Sequence, residues 1–389
     1  MGSVMSTIAS GWGSVPPLTD FFPPTPEAYS SLLSTFQYFP VITISQWLSS
    51  FHPAGKTSLA SSRLNLPGPI AWSIMEIVGP INLLYVLWRL PPMLDTNMNI
   101  ASLPTWNKLV ASLYVVHYVN RAIVSPLFAS PSMSPIHASI VLSAALFNWF
   151  NSSCLAAWLV GYETPVLGYK TDGGAPASSS TLSSLSIAQQ VLPYAGLALF
   201  AIGMAGNISA ERTLYRLRRE EADRRFIAIA NEKKRKQEET KRPSGADLPP
   251  ETTVQETRDR YAKVYVVPPP RGLYRAILYP HYVFEWLEWF GFALAGTAVF
   301  PGRKLSTSGS GSYATATPPI RRLAPWLVPA VWAAERLRVP LPLPAVVFCA
   351  NAVANMLPHA RWGRKWYVDK FGEKGVAGRG AVVPWFKWL

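Results

Sequence analysis

Two glutamates and a histidine interrupt an aromatic, otherwise apolar stretch between Tyr279 and Phe300. His281, Glu285 and Glu288 are spaced at i, i+4 and i+7, which places them on one face if the stretch is helical. A charge held in hydrocarbon costs about 2.5 to 3.5 kcal/mol even on mild insertion scales, so such groups usually face a protein interior or a watered cavity. The pattern predicts a polar site inside a bundle of apolar helices.

A metal site is one chemical interpretation of that face, because imidazole and carboxylate groups are common metal ligands. The chain has only five histidines, however, and they are scattered along the sequence. It lacks the His-rich set that a membrane di-iron oxygenase needs. We therefore expect no bound metal.

Polar residues also interrupt two earlier apolar stretches. Glu76 lies within AWSIMEIVGP, and His117, Tyr118 and Arg121 lie within YVVHYVNRAIVSP. If these stretches pack as neighbouring helices, a carboxyl and a phenol converge inside the bundle, where a low dielectric can keep Glu76 protonated as a hydrogen-bond donor. The alternative is a structural ion pair between Glu76 and Arg121, or an arginine that extends to the membrane interface.

Two further sets of polar residues lie at the edges of apolar stretches. Asn207, Glu211 and Arg218 supply an amide, a carboxylate and a guanidinium that could hold a polar cofactor, although a charged helix beside the membrane gives the same pattern. The C-terminal stretch that contains Tyr367 and Arg379 alternates basic and aromatic residues, which is also typical of an interfacial anchor. The spacing alone leaves both interpretations open.

The elements that must position these residues are long and apolar. Of 389 residues, 49% are hydrophobic and 15% are charged, and the mean hydropathy is +0.14. This composition is too apolar for an ordinary soluble domain. Seven stretches are long enough to cross a hydrocarbon layer of roughly 30 Å, which takes about 20 helical residues. They are residues 29–49, 69–90, 107–128, 136–161, 187–208, 280–301 and 325–356.

The sequence therefore predicts an all-α fold, a polytopic membrane protein with a seven-transmembrane-helix bundle. A strand barrel is disfavoured because the apolar runs are continuous and lack alternation. Polar inserts near residues 170–186, 219–262 and 303–320 are predicted to be solvent loops. The predicted organisation is an N-terminal segment with the first helix (1–65), helices two to five (66–211), a basic cytosolic insert (212–264) and a C-terminal catalytic region with the last two helices and a cytosolic tail (265–389).

The basic residues indicate an orientation in the membrane. The net charge is +14, but the basic residues concentrate in loops beside apolar spans, which disfavours a nucleic-acid partner. Residues 212–242 hold twelve Lys and Arg, whereas residues 1–50 hold none. The positive-inside rule then predicts a cytosolic basic loop, a lumenal N-terminus and a cytosolic C-terminal tail. The first span is expected to act as an uncleaved anchor, because no basic region precedes it.

Five sequence blocks, taken in order, resemble the steroid 5α-reductase family of membrane NADPH-dependent enone reductases, in a form that looks fungal. The similarity covers roughly residues 66–389 without the polar inserts. The blocks are AWSIMEIVGP, VHYVNRA, GMAGNISAERTLYRLR, VPPPRGLY followed by YPHYVFEWLEWFGFALA, and WYVDKF followed by Arg379 and VVPWF.

The resemblance implies a seven-helix bundle in the endoplasmic reticulum membrane, open to lipid for an apolar substrate such as a 3-oxo-4-ene steroid and to the cytosol for NADPH. Glu76 and Tyr118 match the family's pair that hydrogen-bonds the substrate carbonyl, and Trp289 would wall the substrate cavity. Residues at or near positions that the family uses for NADPH are Asn207, Glu211, Arg218, His281, Glu285, Tyr367 and Arg379.

The chain departs from the family's pattern at several positions. Glu211 stands where the family has aspartate, and His281 stands where the animal steroid enzymes have asparagine. The sequence PHY is similar to the polyprenol-reductase branch, so a polyprenol-type substrate is an alternative. ARWGRK replaces the double-His run that commonly precedes the terminal WY. Two further alternatives are a membrane methyltransferase of the isoprenylcysteine type and a non-enzymatic lipid-binding membrane protein.

Overall fold

The computed structural model describes most of the chain outside its polar inserts. The described residues are 16–50, 55, 62–163, 165–170, 186–240, 260–299, 315 and 317–388. The central parts of the inserts predicted near residues 170–186, 219–262 and 303–320 lie outside these ranges.

Helices form nearly all of the described secondary structure. The α-helices are α1 (Pro26–Phe36), α2 (Phe39–Ile42), α3 (Ile44–Leu48), α4 (Gly68–Leu94), α5 (Thr105–Tyr118), α6 (Ala138–Val160), α7 (Ile187–Thr240), α8 (Pro280–Ala295), α9 (Val328–Leu337) and α10 (Leu343–Gly375). A π-helix (Val119–Ala129) continues α5 directly. Short 3-10 helices lie at Leu18–Asp20, Ile100–Ser102, Gly272–Tyr274, Gly296–Ala298 and Pro325–Leu327.

The described strands form one small antiparallel pair. β1 (Asn65–Leu66) pairs with β2 (Ile136–His137), which ties the chain before α4 to the chain before α6. The predicted all-α membrane-protein character agrees with the described structure.

Four described helices are long and apolar enough to cross a membrane, judged by length and composition. They are α4, α6, the Ile187–Lys236 part of α7, and α10. The third predicted span corresponds to α5 together with the π-helix, and the sixth corresponds to α8, which begins at Pro280. The count of seven crossings stays a prediction.

The first predicted span, residues 29–49, is not one continuous helix. α1 ends at Phe36, and the chain turns before the short helices α2 and α3. Pro40 lacks a backbone N–H, so it cannot donate the hydrogen bond that would join α2 to the last turn of α1. The side chain of Gln37 instead donates to the Arg322 carbonyl oxygen at 3.0 Å, which fixes this turn against a distant loop.

The last predicted span, residues 325–356, also has different bounds. α9 ends where Arg338 adopts a left-handed conformation with φ 54°. Pro340 and Pro342 follow, and neither can continue a helical hydrogen-bond ladder. α10 starts after this break and runs well beyond residue 356, so the apolar pattern joined two helices that the prolines separate.

The longest helix, α7, crosses the domain boundary predicted at residue 212. It continues from the apolar segment into the basic segment without a break, as far as Thr240. The insert predicted as a solvent loop from about residue 219 therefore begins as a helical continuation of α7.

α7 and α8 pack closely because small residues lie where they meet. A Cβ atom added at Gly203 would collide with the backbone of Glu288. A Cβ atom added at Gly291 would likewise collide with the backbone of Phe200. This close approach brings polar residues of α7 next to the polar face of α8.

Aromatic residues fill the centre of the bundle. The Trp289 side chain is 1% exposed. Its ring centroid lies 4.3 Å from that of Phe348, 5.7 Å from that of Phe292 and 6.1 Å from that of Tyr114. These four rings connect α5, α8 and α10. We call this aromatic cluster the aromatic floor, and it lies beside the polar groups of the candidate site described below.

Candidate active site

Arg121, in the first turn of the π-helix, faces three glutamates from three other helices. Its Nε atom lies 3.3 Å from Glu76 Oε1, and its Nη1 atom lies 3.7 Å from Glu285 Oε2 and 3.8 Å from Glu211 Oε1. The Trp72 ring lies beneath the guanidinium, 4.7 Å from its carbon atom. The ion pair that the sequence offered as a structural alternative is therefore present, but it belongs to a larger cluster.

Tyr118 and Glu76 converge through an asparagine. The Tyr118 hydroxyl donates to Asn148 Oδ1 at 2.7 Å, and Asn148 Nδ2 donates to Glu76 Oε2 at 3.3 Å. Asn148 Nδ2 also donates to the Met75 carbonyl oxygen at 2.8 Å, which fixes the orientation of the amide. In this arrangement Glu76 accepts hydrogen bonds at both oxygens, from Arg121 and from Asn148. A donor role for a protonated Glu76 stays a prediction.

A glycine makes room for the Tyr118 ring. Gly79 lies one turn after Glu76 on α4, and an added Cβ atom would lie 2.7 Å from Tyr114 Oη and 3.3 Å from Tyr118 Cε1. Both distances are shorter than an ordinary van der Waals contact. The two tyrosine rings therefore approach the α4 backbone where a larger residue would displace them.

Residues of α7 and α8 that were predicted to contact the cofactor also lie at this site. Asn207 Nδ2 donates to Glu285 Oε2 at 3.5 Å, and Asn207 Oδ1 is buried without a hydrogen-bond partner. Ser125 donates to Glu211 Oε2 at 3.2 Å, and its hydroxyl lies 3.1 Å from that of Tyr215.

These contacts form one continuous set of polar side chains, which we name the Arg121 network. Its members are Glu76, Tyr118, Arg121, Ser125, Asn148, Asn207, Glu211, Tyr215 and Glu285.

A second buried pair lies beside the network. His117 Nδ1 lies 2.8 Å from Glu288 Oε1, and both side chains are almost completely buried. With Glu288 as a carboxylate, which only accepts hydrogen bonds, His117 Nδ1 is the donor. Glu288 Oε2 has no hydrogen-bond partner among the described residues. The His117 ring packs on Trp289 with a centroid distance of 4.4 Å, so the pair supports the aromatic floor.

Arg218 lies outside the network, toward the predicted cytosolic side. Its Nε atom donates to the Val264 carbonyl oxygen at 3.1 Å. Its Nη2 atom donates to Ser132 Oγ at 2.8 Å and to the Ser132 carbonyl oxygen at 3.1 Å. These contacts leave the Nη1 hydrogens of Arg218 without a described partner.

Arg379 is 2% exposed and connects the tail to the chain before α8. Its three nitrogens donate at 2.8 Å to the carbonyl oxygens of Val376, Tyr274 and Pro268. Burial lowers the pKa of the Arg379 guanidinium, and the three carbonyl dipoles offset the loss of solvent. Burial raises the pKa of the Tyr274 phenol, whose hydroxyl donates to the Ala210 carbonyl oxygen at 2.8 Å.

Tyr367 and His281 belong to an aromatic cluster around Tyr279. The Tyr279 ring centroid lies 5.6 Å from that of His281 and 6.2 Å from that of Tyr367. The structure thus forms two layers, with the Arg121 network inside the bundle and a layer of arginines and aromatic rings at its edge.

The predicted site residues divide between these layers. Five of them belong to the Arg121 network, and Trp289 lies beside it, with its ring centroid 6.4 Å from that of Tyr118. The members of the edge layer are Arg218, His281, Tyr367 and Arg379.

Sequence reasoning missed several members of the network. It assigned no role to Asn148, Ser125 or Tyr215, and it treated Arg121 as structural. Asn148 gave a usable signal, because it is an amide inside the apolar helix α6 and needs a buried partner. Ser125 and Tyr215 gave none, because serine and tyrosine are common at membrane-helix contacts.

Within the described ranges, no group of three or more His, Cys, Asp or Glu side chains is arranged to hold a metal ion. His281, Glu285 and Glu288 share α8, but Glu288 bonds to His117 and Glu285 faces Arg121 and Asn207. Residues on this one face of α8 therefore contact partners on different helices and do not converge on a common point.

Comparison with known proteins gives distant, nearly full-length similarity. No family model matches the chain. The protein named Uncharacterized protein C9.08c of Schizosaccharomyces pombe is 27% identical over 365 residues, which cover 92% of this chain and 98% of that protein. Steroid 5-alpha-reductase DET2 of Arabidopsis thaliana is 23% identical over 361 residues, 92% of this chain and 95% of that protein. Steroid 5-alpha-reductase DET2 of Solanum lycopersicum is 22% identical over 348 residues, 89% of this chain and 91% of that protein. This distant similarity supports the family predicted from the sequence blocks, while the fungal and polyprenol-reductase features stay predictions.

Proposed function

We propose that the chain is a membrane-embedded NADPH-dependent reductase of a conjugated carbon–carbon double bond in a lipid enone, such as a 3-oxo-4-ene steroid. The observation that carries the proposal is the partly buried Arg121 network, which holds the buried Tyr118 hydroxyl beside the aromatic ring of Trp289. The nearly full-length similarity to two steroid 5-alpha-reductases supports the same reaction class.

Tyr118 is the proposed donor to the substrate carbonyl. Its hydroxyl already donates to Asn148, and a carbonyl oxygen that replaces Asn148 would receive the same hydrogen bond. This donor stabilises the negative charge that develops on the oxygen as the β-carbon is reduced. Glu76 holds Asn148 and Arg121 in place, so it orients the donor through neighbouring groups.

The network has the acceptors that the nicotinamide end of NADPH requires. When bound, NADPH supplies the hydride that goes to the β-carbon, and a proton from solvent completes the reduction at the α-carbon. The buried Asn207 Oδ1 has no partner in the described ranges and suits an amide or hydroxyl donor, and Glu285 lies beside the same amide group. Three carboxylates around one guanidinium would also favour the cationic nicotinamide that remains after reduction.

The edge layer has donors that the phosphate end requires. A guanidinium has five N–H groups, and three described hydrogen bonds at Arg218 and three at Arg379 leave two N–H groups on each. Arg218 is the better candidate for direct contact, because its Nη1 atom has no hydrogen-bond partner within the part of the chain that the structure describes. We propose that Arg379, Tyr367 and His281 shape this part of the site.

We also propose an endoplasmic reticulum location with the C-terminus in the cytosol. The basic segment at residues 212–242 and the basic tail beyond residue 360 support this orientation, because cytosolic loops carry an excess of Lys and Arg. A glycosylation acceptor fused after residue 388 should remain unmodified in microsomes. Its modification would reverse the proposed orientation.

The proposal is tested by NADPH oxidation in membranes that contain the purified chain. A 3-oxo-4-ene steroid, a polyprenal and a long-chain 2-enoyl thioester are compared, with product identification by mass spectrometry. Tyr118→Phe should lower turnover of the accepted substrate by about a hundredfold, because it removes one donor to the developing oxyanion. Tyr194→Phe is the matched control, since Tyr194 is 66% exposed and distant from the network.

Each outcome has a defined meaning. Turnover of the steroid that falls in Tyr118→Phe supports the proposed substrate class. Turnover of only the polyprenal reassigns the chain to polyprenal reduction, and turnover of only the enoyl thioester reassigns it to enoyl thioester reduction. Absence of turnover with all three substrates in a folded, NADPH-binding preparation contradicts the proposal.

A further inference from the structure

A basic groove lies between the second half of α10 and the C-terminal tail. Its volume is about 280 Å³, and its lining includes four cations and two tryptophans. They are Arg361, Trp362, Arg364, Lys365, Lys387 and Trp388. The groove shares no residue with the Arg121 network or the edge layer, and it meets the edge layer where Arg364 Nε donates to the Arg379 carbonyl oxygen at 2.7 Å.

The charge of the groove is only partly balanced. Glu373 pairs with Arg364 at 2.8 Å and with Lys387 at 3.4 Å. In the described part of the chain, no carboxylate lies within ion-pair distance of Arg361 or Lys365. Four cations against one paired carboxylate leave a site that favours an anion.

The groove has the side chains of a membrane–water interface. It begins where the apolar part of α10 ends and the first basic residues appear. The Arg361 guanidinium carbon lies 4.9 Å from the Trp362 ring centroid, and the Lys365 ammonium lies 5.3 Å from it. Trp362 Nε1 donates to the Gln46 carbonyl oxygen at 2.8 Å, which fixes the indole against α3. Tryptophan with lysine or arginine is typical of the headgroup layer.

The tail beside the groove is exposed and aromatic. Trp385 is 75% exposed, Trp388 is 74% exposed and Phe386 is 48% exposed. Lys387 lies within this sequence and turns into the groove. Large exposed aromatic rings next to cations suit insertion among lipid headgroups, where one side is apolar and the other is hydrated.

We propose that this groove binds the phosphate of an anionic phospholipid in the cytosolic leaflet, while the exposed rings of the tail enter the interface of the same bilayer. Arg361 and Lys365 supply the uncompensated charge, and Trp362 and Trp388 flank the headgroup. The bound lipid would hold the tail against α10. The choice of leaflet rests on the proposed cytosolic orientation of the C-terminus, whereas binding of the lipid does not depend on the reductase activity.

The test is native mass spectrometry of the full chain, released from vesicles of phosphatidylcholine with or without phosphatidylinositol. The Arg361→Gln/Lys365→Gln variant is compared with Lys233→Gln/Lys234→Gln, which removes the same charge from exposed residues of α7. One cation near an anionic lipid surface contributes about a fivefold factor in affinity, so two give roughly thirtyfold. We expect the affinity of the groove variant for phosphatidylinositol to fall by about this factor, and we expect the affinity of the control variant to stay unchanged.

Three results would overturn the proposal. The groove variant could keep its phosphatidylinositol, the control variant could lose as much as the groove variant, or inorganic phosphate could displace the lipid at equal concentration. The last result would assign the groove to a soluble phosphate instead. Because Arg361 also donates to the Trp47 carbonyl oxygen at 3.2 Å, the single variant Lys365→Gln is included, and its lipid affinity should fall about fivefold without loss of a described hydrogen bond.

Discussion

At the scale of single residues, Arg121 decides the electrostatics of the interior. Glu76, Glu211 and Glu285 approach it from α4, α7 and α8, so one cation separates three groups that would otherwise repel each other. A charge that is left uncompensated in a protein interior is strongly unfavourable. The same guanidinium therefore stabilises the bundle and sets the acidic character of the candidate site.

Arg121→Gln should destabilise the folded protein by about 3 kcal/mol, because it leaves the buried carboxylate of Glu285 and the partly buried carboxylates of Glu76 and Glu211 without their cation. Thermal unfolding in detergent micelles measures the effect. Adding Glu285→Gln should recover part of the loss, since it removes one of the repelling charges. If Arg121→Gln unfolds at the temperature of the unsubstituted chain, the carboxylates do not depend on this arginine.

The His117–Glu288 pair makes a second residue-scale prediction. Glu288→Met should cost about 1 to 3 kcal/mol, because the buried Nδ1–H of His117 loses its acceptor, whereas Glu288→Gln keeps an acceptor oxygen and should cost less. Chemical unfolding in micelles compares the two variants. Equal stability of the Glu288→Met and Glu288→Gln variants would show that His117 finds another hydrogen-bond acceptor.

At the scale of elements, the approach of α5 to α4 depends on Gly79. Gly79→Ala should lower substrate turnover by roughly tenfold, because the new methyl group displaces the Tyr114 and Tyr118 rings from their present positions. The control is Ile81→Ala on the same helix, at a side chain that is 58% exposed. The variants are compared at equal amounts of folded protein, and an unchanged rate in Gly79→Ala would mean that the position of Tyr118 is not critical.

The π-helix after Tyr118 sets the direction of the Arg121 side chain. Ser130 N donates to the Ser125 carbonyl oxygen at 2.9 Å, which is an i to i+5 hydrogen bond. The wider turn changes the direction of every side chain relative to an α-helix of the same sequence. Arg121 and Ser125 therefore face the carboxylates of Glu76 and Glu211 from consecutive turns of this segment.

At the scale of the whole molecule, Arg379 joins the C-terminal tail to the chain that enters α8. The Leu278 N–H donates to the Gly380 carbonyl oxygen at 3.0 Å, and the Tyr279 N–H donates to the Ala381 carbonyl oxygen at 2.9 Å. Together with the three hydrogen bonds of Arg379, these contacts fix the tail beside Tyr367 and α8. The edge layer of the candidate site depends on this connection.

Arg379→Lys should release the tail, because one ammonium cannot replace three directed N–H donors of a planar guanidinium. A loss of about 3 kcal/mol in this region corresponds to roughly a hundredfold faster hydrogen exchange at the amides of Leu278 and Tyr279. Lys374→Gln, at an exposed residue in the last turn of α10, serves as the control and should leave exchange unchanged. Unaltered protection in Arg379→Lys would mean that the backbone contacts suffice without the arginine.

The sequence by itself determined which parts of this protein are helical and apolar, and which rare ionisable residues interrupt them. Hydrophobic runs and inserted charges are local properties, so Glu76, Tyr118 and Glu285 could be selected without a structure. The same local patterns also led to errors. They joined α9 to α10 across Pro340 and Pro342, because hydropathy averaged over a stretch of residues does not detect a helix break caused by two prolines.

Only the tertiary structure decided how these residues pair. Whether Glu76 accepts from Asn148, and whether Glu288 meets His117 while Glu285 meets Arg121, depends on helix separation and rotation over tens of residues. Helix separation is set by close backbone contacts between helices, and the direction of the Arg121 side chain is set by the π-helix. Neither feature leaves a periodic signal in the sequence. A buried charge needs a partner, which the sequence can state, but only packing fixes which partner is within reach.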